Sequence, residues 1–331
     1  MLKKTIRRLG ALAMVLAMAV SVFAVSASAA EATVVKEKKV TITKNIDAKE
    51  KVLVPGATYE FTIAPGNADT AKNIYAGEMT PISKSAKNNY TYEIAFTQGD
   101  TVKSKTCDFM ITAESFTKPG IYAYTVTESA VTVDGMTTAP AKTMLVYVEQ
   151  VDGKNSIAAV IVDNRTTGTN KSDLDFTNIY ATNNVTVKKV ITGNQADLSA
   201  KWEFKITVTG QPGETFATST GEVLQSGVEA TIYLGDKDTI TIYGLSESDT
   251  YTVKEEKHNT DGYVTTIDGN KTNDGTTSGD AKAGDVSIEY VNHKQITTPG
   301  GVIMTIAPYA LMVVLAGAFA VVFLSRRNRA E

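Results

Sequence analysis

Side chains of a β-strand alternate between its two faces, so a period-two reading shows which polar residues travel with apolar ones. In VTVKKVITG, residues 185–193, Lys189 falls in line with Val185, Val187 and Ile191. Further on, Glu255 shares a face with Tyr251 and Val253, and Asn292 with Ile288 and Tyr290. The first half of the chain does the same: Lys44 goes with Val40 and Ile42, Glu128 with Tyr122, Tyr124 and Val126, and Asn178 with Leu174 and Phe176. An unpaired ammonium or carboxylate costs several kcal/mol to bury, so these positions need a reason.

Two readings are open. In one, each lysine and glutamate form a buried ion pair and the asparagine completes its hydrogen bonds. In the other, the set reacts. A dry site lowers a lysine's pKa and raises a glutamate's, so the pair can exist as neutral amine and neutral acid. The amine is then a nucleophile, and the asparagine carboxamide is an acyl group with ammonia as leaving group. Glu128 or Glu255 would act catalytically, polarising the amide and shuttling protons. The products would be Lys44–Asn178 and Lys189–Asn292 isopeptide crosslinks, formed once and without an external enzyme, with contact itself supplying much of the rate.

The elements that must hold these residues are strands. Runs such as KVTITKNI, ATYEFTI, NYTYEIAF, GIYAYTVTES, TMLVYVEQV and SIAAVIVDN alternate between Gly, Pro, Asn and Asp clusters. KWEFKITVTG, EATIYLG, TITIYGL, DTYTVKEE and VSIEYVN follow suit. Strands spaced this way predict sandwiches rather than a parallel α/β sheet. Only residues near 66–78 and 194–201 suggest a helical turn. The halves also repeat: VTITKNI (40–46) with VTVKKVI (185–191), EFTI (60–63) with EFKITV (203–208), YAYTVTE (122–128) with YTVKE (251–255), and DFTNIY (175–180) with EYVNHK (289–294). The expected organisation is a first domain over 31–182 and a second over 183–295.

The ends have other duties. Residues 1–30 combine a basic start, an apolar run and SASAA, the pattern of a secretory signal peptide; the competing reading is a retained anchor. Residues 302–324 are uncharged and apolar, long enough to cross a bilayer, and the basic tail 325–331 would stay in the cytoplasm. The whole chain carries −3; removing the +4 of residues 1–30 and the +2 of 301–331 leaves −9 on 31–300. That acidic body argues against nucleic-acid binding. Cys107 is the single cysteine, read as a small buried hydrophobe, so an exported body of this size would lack disulfides. The two histidines, His258 and His293, leave little material for a metal site or a triad, and no cofactor is expected. The loop 268–280 misses the calcium-loop spacing and reads as a flexible hairpin connection.

With Lys, Glu and Asn recurring in that order on core faces, both halves resemble the pilin domains of Gram-positive sortase-assembled pili. The resemblance spans nearly all of 31–331. It implies an all-β chain of two tandem immunoglobulin-like sandwiches, of the collagen-adhesin B type, with a signal peptide and a C-terminal transmembrane sorting helix. It implies a lysine–asparagine bond assisted by glutamate, carried here by Lys44, Glu128 and Asn178, then Lys189, Glu255 and Asn292. The stretch 296–301 resembles a sortase motif such as LPXTG, with Thr298, Pro299, Gly300 and Gly301 around the cut and Gly300 where threonine is usual; the competing reading is a plain single-pass membrane protein. The acceptor lysine would be Lys171, with Lys154 as rival and Lys142 as a lesser one. The implied function is a structural shaft subunit at the cell wall surface. Its partners would be a sortase, identical subunits, minor pilins or a tip adhesin, and peptidoglycan at the anchored end. The alternative is a non-polymerising wall-anchored protein or a minor, basal adhesive pilin.

Overall fold

A computed structural model describes residues 33–84, 90–163 and 174–296, which form two β-sandwiches in tandem. In the first, β1 (Glu37–Asp47) lies between β5 (Ser104–Thr112) and β9 (Leu174–Ile179). Facing it is a sheet ordered β4 (Thr91–Phe96), β2 (Ala57–Pro65), β6 (Gly120–Glu128), β7 (Lys142–Val151) and β8 (Lys154–Asp163), with the short β3 (Ile74–Ala76) beside β6. Ile42, Phe109 and Phe176 from the small sheet share one core with Tyr59, Phe61, Tyr124 and Val146 from the large one. These are the inward residues that strict alternation selects.

The second sandwich centres on β10 (Asn183–Thr192), held between β15 (Thr239–Leu245) and β20 (Val286–His293). Beyond β20 the sheet continues through β17 (Val264–Ile267) and β18 (Asn270–Lys271). The opposing sheet runs β14 (Ala230–Leu234), β11 (Trp202–Thr209), β16 (Thr250–Glu255), β19 (Thr276–Asp280). A separate ribbon joins β12 (Thr215–Ala217) to β13 (Val223–Gln225). Val185, Val187, Phe204, Ile206, Val253 and Tyr290 make this second core.

One topological feature positions the chemistry. In each domain the first strand pairs in parallel with the last: β1 with β9, where Lys44 stands opposite Phe176, and β10 with β20, where Lys189 stands opposite Tyr290. Each asparagine lies two residues beyond that partner, on the same face of the neighbouring strand. Each glutamate comes from the opposite sheet, at the last residue of β6 or β16, across from Phe61 or Phe204.

Several expectations need correction. Residues 66–78 contain a 3₁₀ turn at Thr70–Lys72, but 194–201 hold only irregular turns, and a second 3₁₀ turn occurs at Ala113–Ser115. The region 268–280 is not one connecting loop. Asp268 and Gly269, both at positive φ, form a two-residue hairpin between Ile267 and Asn270, and Thr276–Asp280 is the strand β19 paired with β16. Strand β5 opens with Lys105 on its inward face, which blurs the period-two reading; beyond it Cys107, Phe109 and Ile111 alternate with exposed or half-exposed residues, and Phe109 and Ile111 reach the core. Cys107, on β5, is half-buried rather than fully enclosed, and burial pushes its thiol up to about 11.

Candidate crosslinking sites

All six residues singled out by alternation are buried, and they assemble into two separate triads. In the first domain Lys44 Nζ lies 2.7 Å from Glu128 Oε1. Asn178 Nδ2 donates to that same oxygen at 3.1 Å. In the second, Lys189 Nζ lies 2.7 Å from Glu255 Oε1, and Asn292 Nδ2 donates to it at 2.8 Å. One carboxylate oxygen thus touches both the nitrogen that must lose a proton and the nitrogen that must gain one.

The surroundings are enclosed and largely aromatic, with one ring beside each amine. Tyr59 places its ring centroid 4.5 Å from Lys44 Nζ, and Trp202 places its own 4.9 Å from Lys189 Nζ. Phe61 against Phe176, and Phe204 edge-on to Tyr290, close the two sites from the side. An ammonium has three N–H bonds to satisfy. Beyond the glutamate contact neither amine has an acceptor, so much of its hydrogen-bonding capacity is unmet. Burial lowers the pKa of Lys44 against the opposing pull of Glu128. It brings Lys189 down to about 8, again against its glutamate, and raises the pKa of Glu255. These directions move proton affinity from amine to carboxylate, the condition for a nucleophilic lysine.

The carboxamide oxygens are also held. In the first domain the backbone N–H of Ala139 donates to Asn178 Oδ1 at 2.9 Å and to Glu128 Oε2 at 3.0 Å. In the second the hydroxyl of Thr265 donates to Asn292 Oδ1 at 2.8 Å, while Glu255 Oε2 has no partner. Neither Ala139 nor Thr265 emerged from the sequence. Thr265 shares the inward face of β17 with Ile267, and that short alternation was the available signal; a backbone donor such as Ala139 leaves none.

Comparison with known proteins bears on the same segments. Residues 37–181 match the FctA family, described as a Spy0128-like isopeptide containing domain. Residues 183–294 match a domain of unknown function, DUF7601. A pilin of Streptococcus pyogenes serotype M1 is 28% identical over 326 residues, covering 89% of this chain and 93% of the relative. The chain is a pilin homologue. Its fold resembles the crystal structure of the major pilin from Streptococcus pyogenes, with a TM-score of 0.54 at 24% identity over 78% of this chain and 99% of the other. A pilus tip adhesin, Cpa, of the same organism is 25% identical over 127 residues, 37% of this chain but 18% of the adhesin.

In this pilin homologue Lys154 is exposed at the turn that opens β8, while Lys142 is half-buried with its Nζ 5.7 Å from the Phe176 ring centroid. Lys171 and the residues Thr298, Pro299, Gly300 and Gly301 lie outside the described residues, as do the signal peptide 1–30, the apolar segment 302–324 and the tail 325–331.

Proposed function

We propose that this pilin homologue is a structural pilus shaft subunit that crosslinks itself at two sites and is polymerised covalently by a sortase. The observation that carries the crosslinking part is the shared oxygen in each triad, Glu128 Oε1 or Glu255 Oε1. The glutamate takes a proton from the lysine, and the neutral Nζ attacks Cγ of the asparagine. The Nζ–Cγ bond forms, the proton held on Oε1 goes to Nδ2, the Cγ–Nδ2 bond breaks to release ammonia, and the carboxylate so regenerated takes the second proton from Nζ, leaving a neutral secondary amide. Fixed neighbours supply the proximity that an intermolecular aminolysis lacks.

The polymerising part rests on sequence and on kinship with a pilin. The sortase would cleave within 296–301 and pass the new carboxyl end to Lys171 of the next subunit, three residues ahead of β9. The precursor would be exported by residues 1–30 and held by 302–324 until that transfer, and the polymer would stand at the cell wall surface, anchored to peptidoglycan. Minor pilins or a tip adhesin are the further partners, and the acidic body leaves no part for nucleic acid.

The test is the intact mass of residues 31–299, which contain every described element of both sandwiches. Each crosslink removes one ammonia, about 17 Da, so the expected deficit is about 34 Da, falling to about 17 Da in Glu128→Ala and in Glu255→Ala. An unchanged mass would return the triads to ion pairs. For polymerisation, Lys171→Ala should abolish high-mass ladders in the assembling cell and Lys154→Ala should leave them; the reverse result would move the acceptor to Lys154.

A further inference from the structure

We infer that Thr265 is a catalytic residue of the second crosslink, the donor that stabilises the oxyanion formed on Asn292 Oδ1, a reading that rests on the proposed isopeptide chemistry. When Nζ of Lys189 adds to Cγ, the carbonyl π electrons move onto Oδ1, and that charge needs a donor already in place. Thr265 meets the requirement. It is fully buried, stands opposite Asn292 in the β17–β20 register, and donates from Oγ1 at 2.8 Å.

The direction of that hydroxyl is fixed by its other bonds. Thr265 Oγ1 accepts from the backbone N–H of Asn259 at 3.2 Å, and the Asn259 side chain returns the contact, its Oδ1 accepting from Thr265 N at 2.7 Å. With a lone pair of Oγ1 engaged, the O–H bond is left for Asn292. Asn259 itself sits at φ 53, a left-handed conformation that asparagine tolerates better than most residues, and its Nδ2 is tied to Thr272 O at 2.9 Å. The preorganised unit therefore runs from Thr272 through Asn259 and Thr265 to the reacting carbonyl.

The donor also resolves a division of labour. Glu255 Oε1 is occupied by the two nitrogens that exchange protons. A carboxyl group cannot both hold that proton relay and serve the oxyanion on the far side of the amide. Thr265 takes the second task, and the elimination of ammonia returns the electron pair from Oδ1 to the carbonyl.

The test follows the mass of residues 31–299 from purification onward, with peptide mapping to assign each bond. Wild type should carry both deficits at once. Thr265→Val keeps the shape and Thr265→Ala reduces it; both lack the hydroxyl. Each should show the Lys44–Asn178 bond at purification while the Lys189–Asn292 bond forms some 10²- to 10³-fold more slowly, the usual loss for one oxyanion donor. Thr265→Ser should restore the second bond, which a purely packing role for the methyl group would not allow. Full crosslinking of the Val or Ala protein at purification, or a Ser protein as slow as Val, would overturn the role of Thr265 alone. A wild type lacking the second deficit would overturn the crosslink reading as well.

Discussion

The two triads share a frame and differ in their finish. In both, the lysine and asparagine sit on the parallel first and last strands with the same two-residue offset, and the glutamate reaches across the core from the other sheet. In the first domain one backbone N–H, that of Ala139, is divided between Asn178 Oδ1 and Glu128 Oε2. In the second a side-chain hydroxyl serves Asn292 Oδ1 alone, and Glu255 Oε2 is left bare. The sandwich topology thus sets which groups meet, while the donor to the asparagine carbonyl is recruited locally. A backbone donor is hard to lose by substitution; a threonine can be replaced in one step.

The comparison can be broken first at the level of stability. Lys44→Met with Glu128→Gln, and Lys189→Met with Glu255→Gln, each remove one crosslink without leaving a stray buried charge. Both bonds close loops of roughly a hundred residues or more, for which chain-entropy reasoning gives about 4–5 kcal/mol. Because that cost grows only with the logarithm of loop length, the two losses should be nearly equal in urea denaturation. A large loss in one domain and none in the other would show that only one bond forms.

A sharper distinction comes from pH, followed on the slowed Thr265→Val protein. The reactive pair carries one proton, placed on either nitrogen or carboxylate, so its reactive tautomer is a constant fraction while that proton is retained. Lys189 releases it near pH 8. The second crosslink should therefore form at a constant rate as pH approaches 8 and then slow by up to about tenfold per unit as the acid is lost. A rate that climbs steadily beyond pH 8 would mean a free amine suffices and Glu255 supplies no proton.

The smallest expected effect lies between the domains. Tyr180 donates to Glu214 Oε1 at 3.0 Å, and Gln211 N donates to its Oε2 at 2.8 Å. Asp249 is fully buried beside it, with Oδ2 bonded to Ser246 N at 2.6 Å and Oδ1 unpartnered. Asp134 faces the same cluster through Ser246 and Ser248. Gly210 makes room for the pair, since a Cβ there would stand 2.3 Å from Glu214 Oε2 and 2.7 Å from Asp249 Oδ1 and would displace the carboxylates. Burial raises the pKa of both Glu214 and Asp249; the charge of Asp249 adds to the rise at Glu214, while at Asp249 hydrogen bonds from Ser246 oppose it and the charge of Asp134 adds to it. The folded state therefore holds protons that the unfolded chain has released, and stability falls as pH rises through the folded values. Glu214→Gln should flatten that fall and raise the melting midpoint modestly at neutral pH, leaving both crosslink masses unchanged. A steeper pH dependence in the variant would refute this account.

Much of this arrangement was readable from residue order. Period-two alternation identified Lys44, Glu128, Asn178, Lys189, Glu255 and Asn292, all of which are buried and grouped as expected. Alternation succeeds there because a strand with one face in a core has no freedom to turn a single side chain outward. It failed for β5, whose inward face begins with Lys105, and for β19, which hides in a Gly- and Asp-containing stretch. Cys107 is half-buried, on the same face of β5 as Phe109 and Ile111 and packed at the margin of the first core.

What the sequence determined by itself was local and periodic: the strands, the inward faces, the two-fold repeat, and the polar residues that burial would force to find partners. What only the tertiary structure decided was pairing across distance. That Thr265 meets Asn292, that Ala139 turns its N–H towards Asn178, and that Tyr180 closes on Glu214 all depend on sheet register and on the packing of one domain against the other. Those contacts are made by residues far apart in the chain, and no short-range period records them. The physical reason is that a strand specifies which way its side chains point, while the identity of the neighbour they meet is set by how whole sheets align.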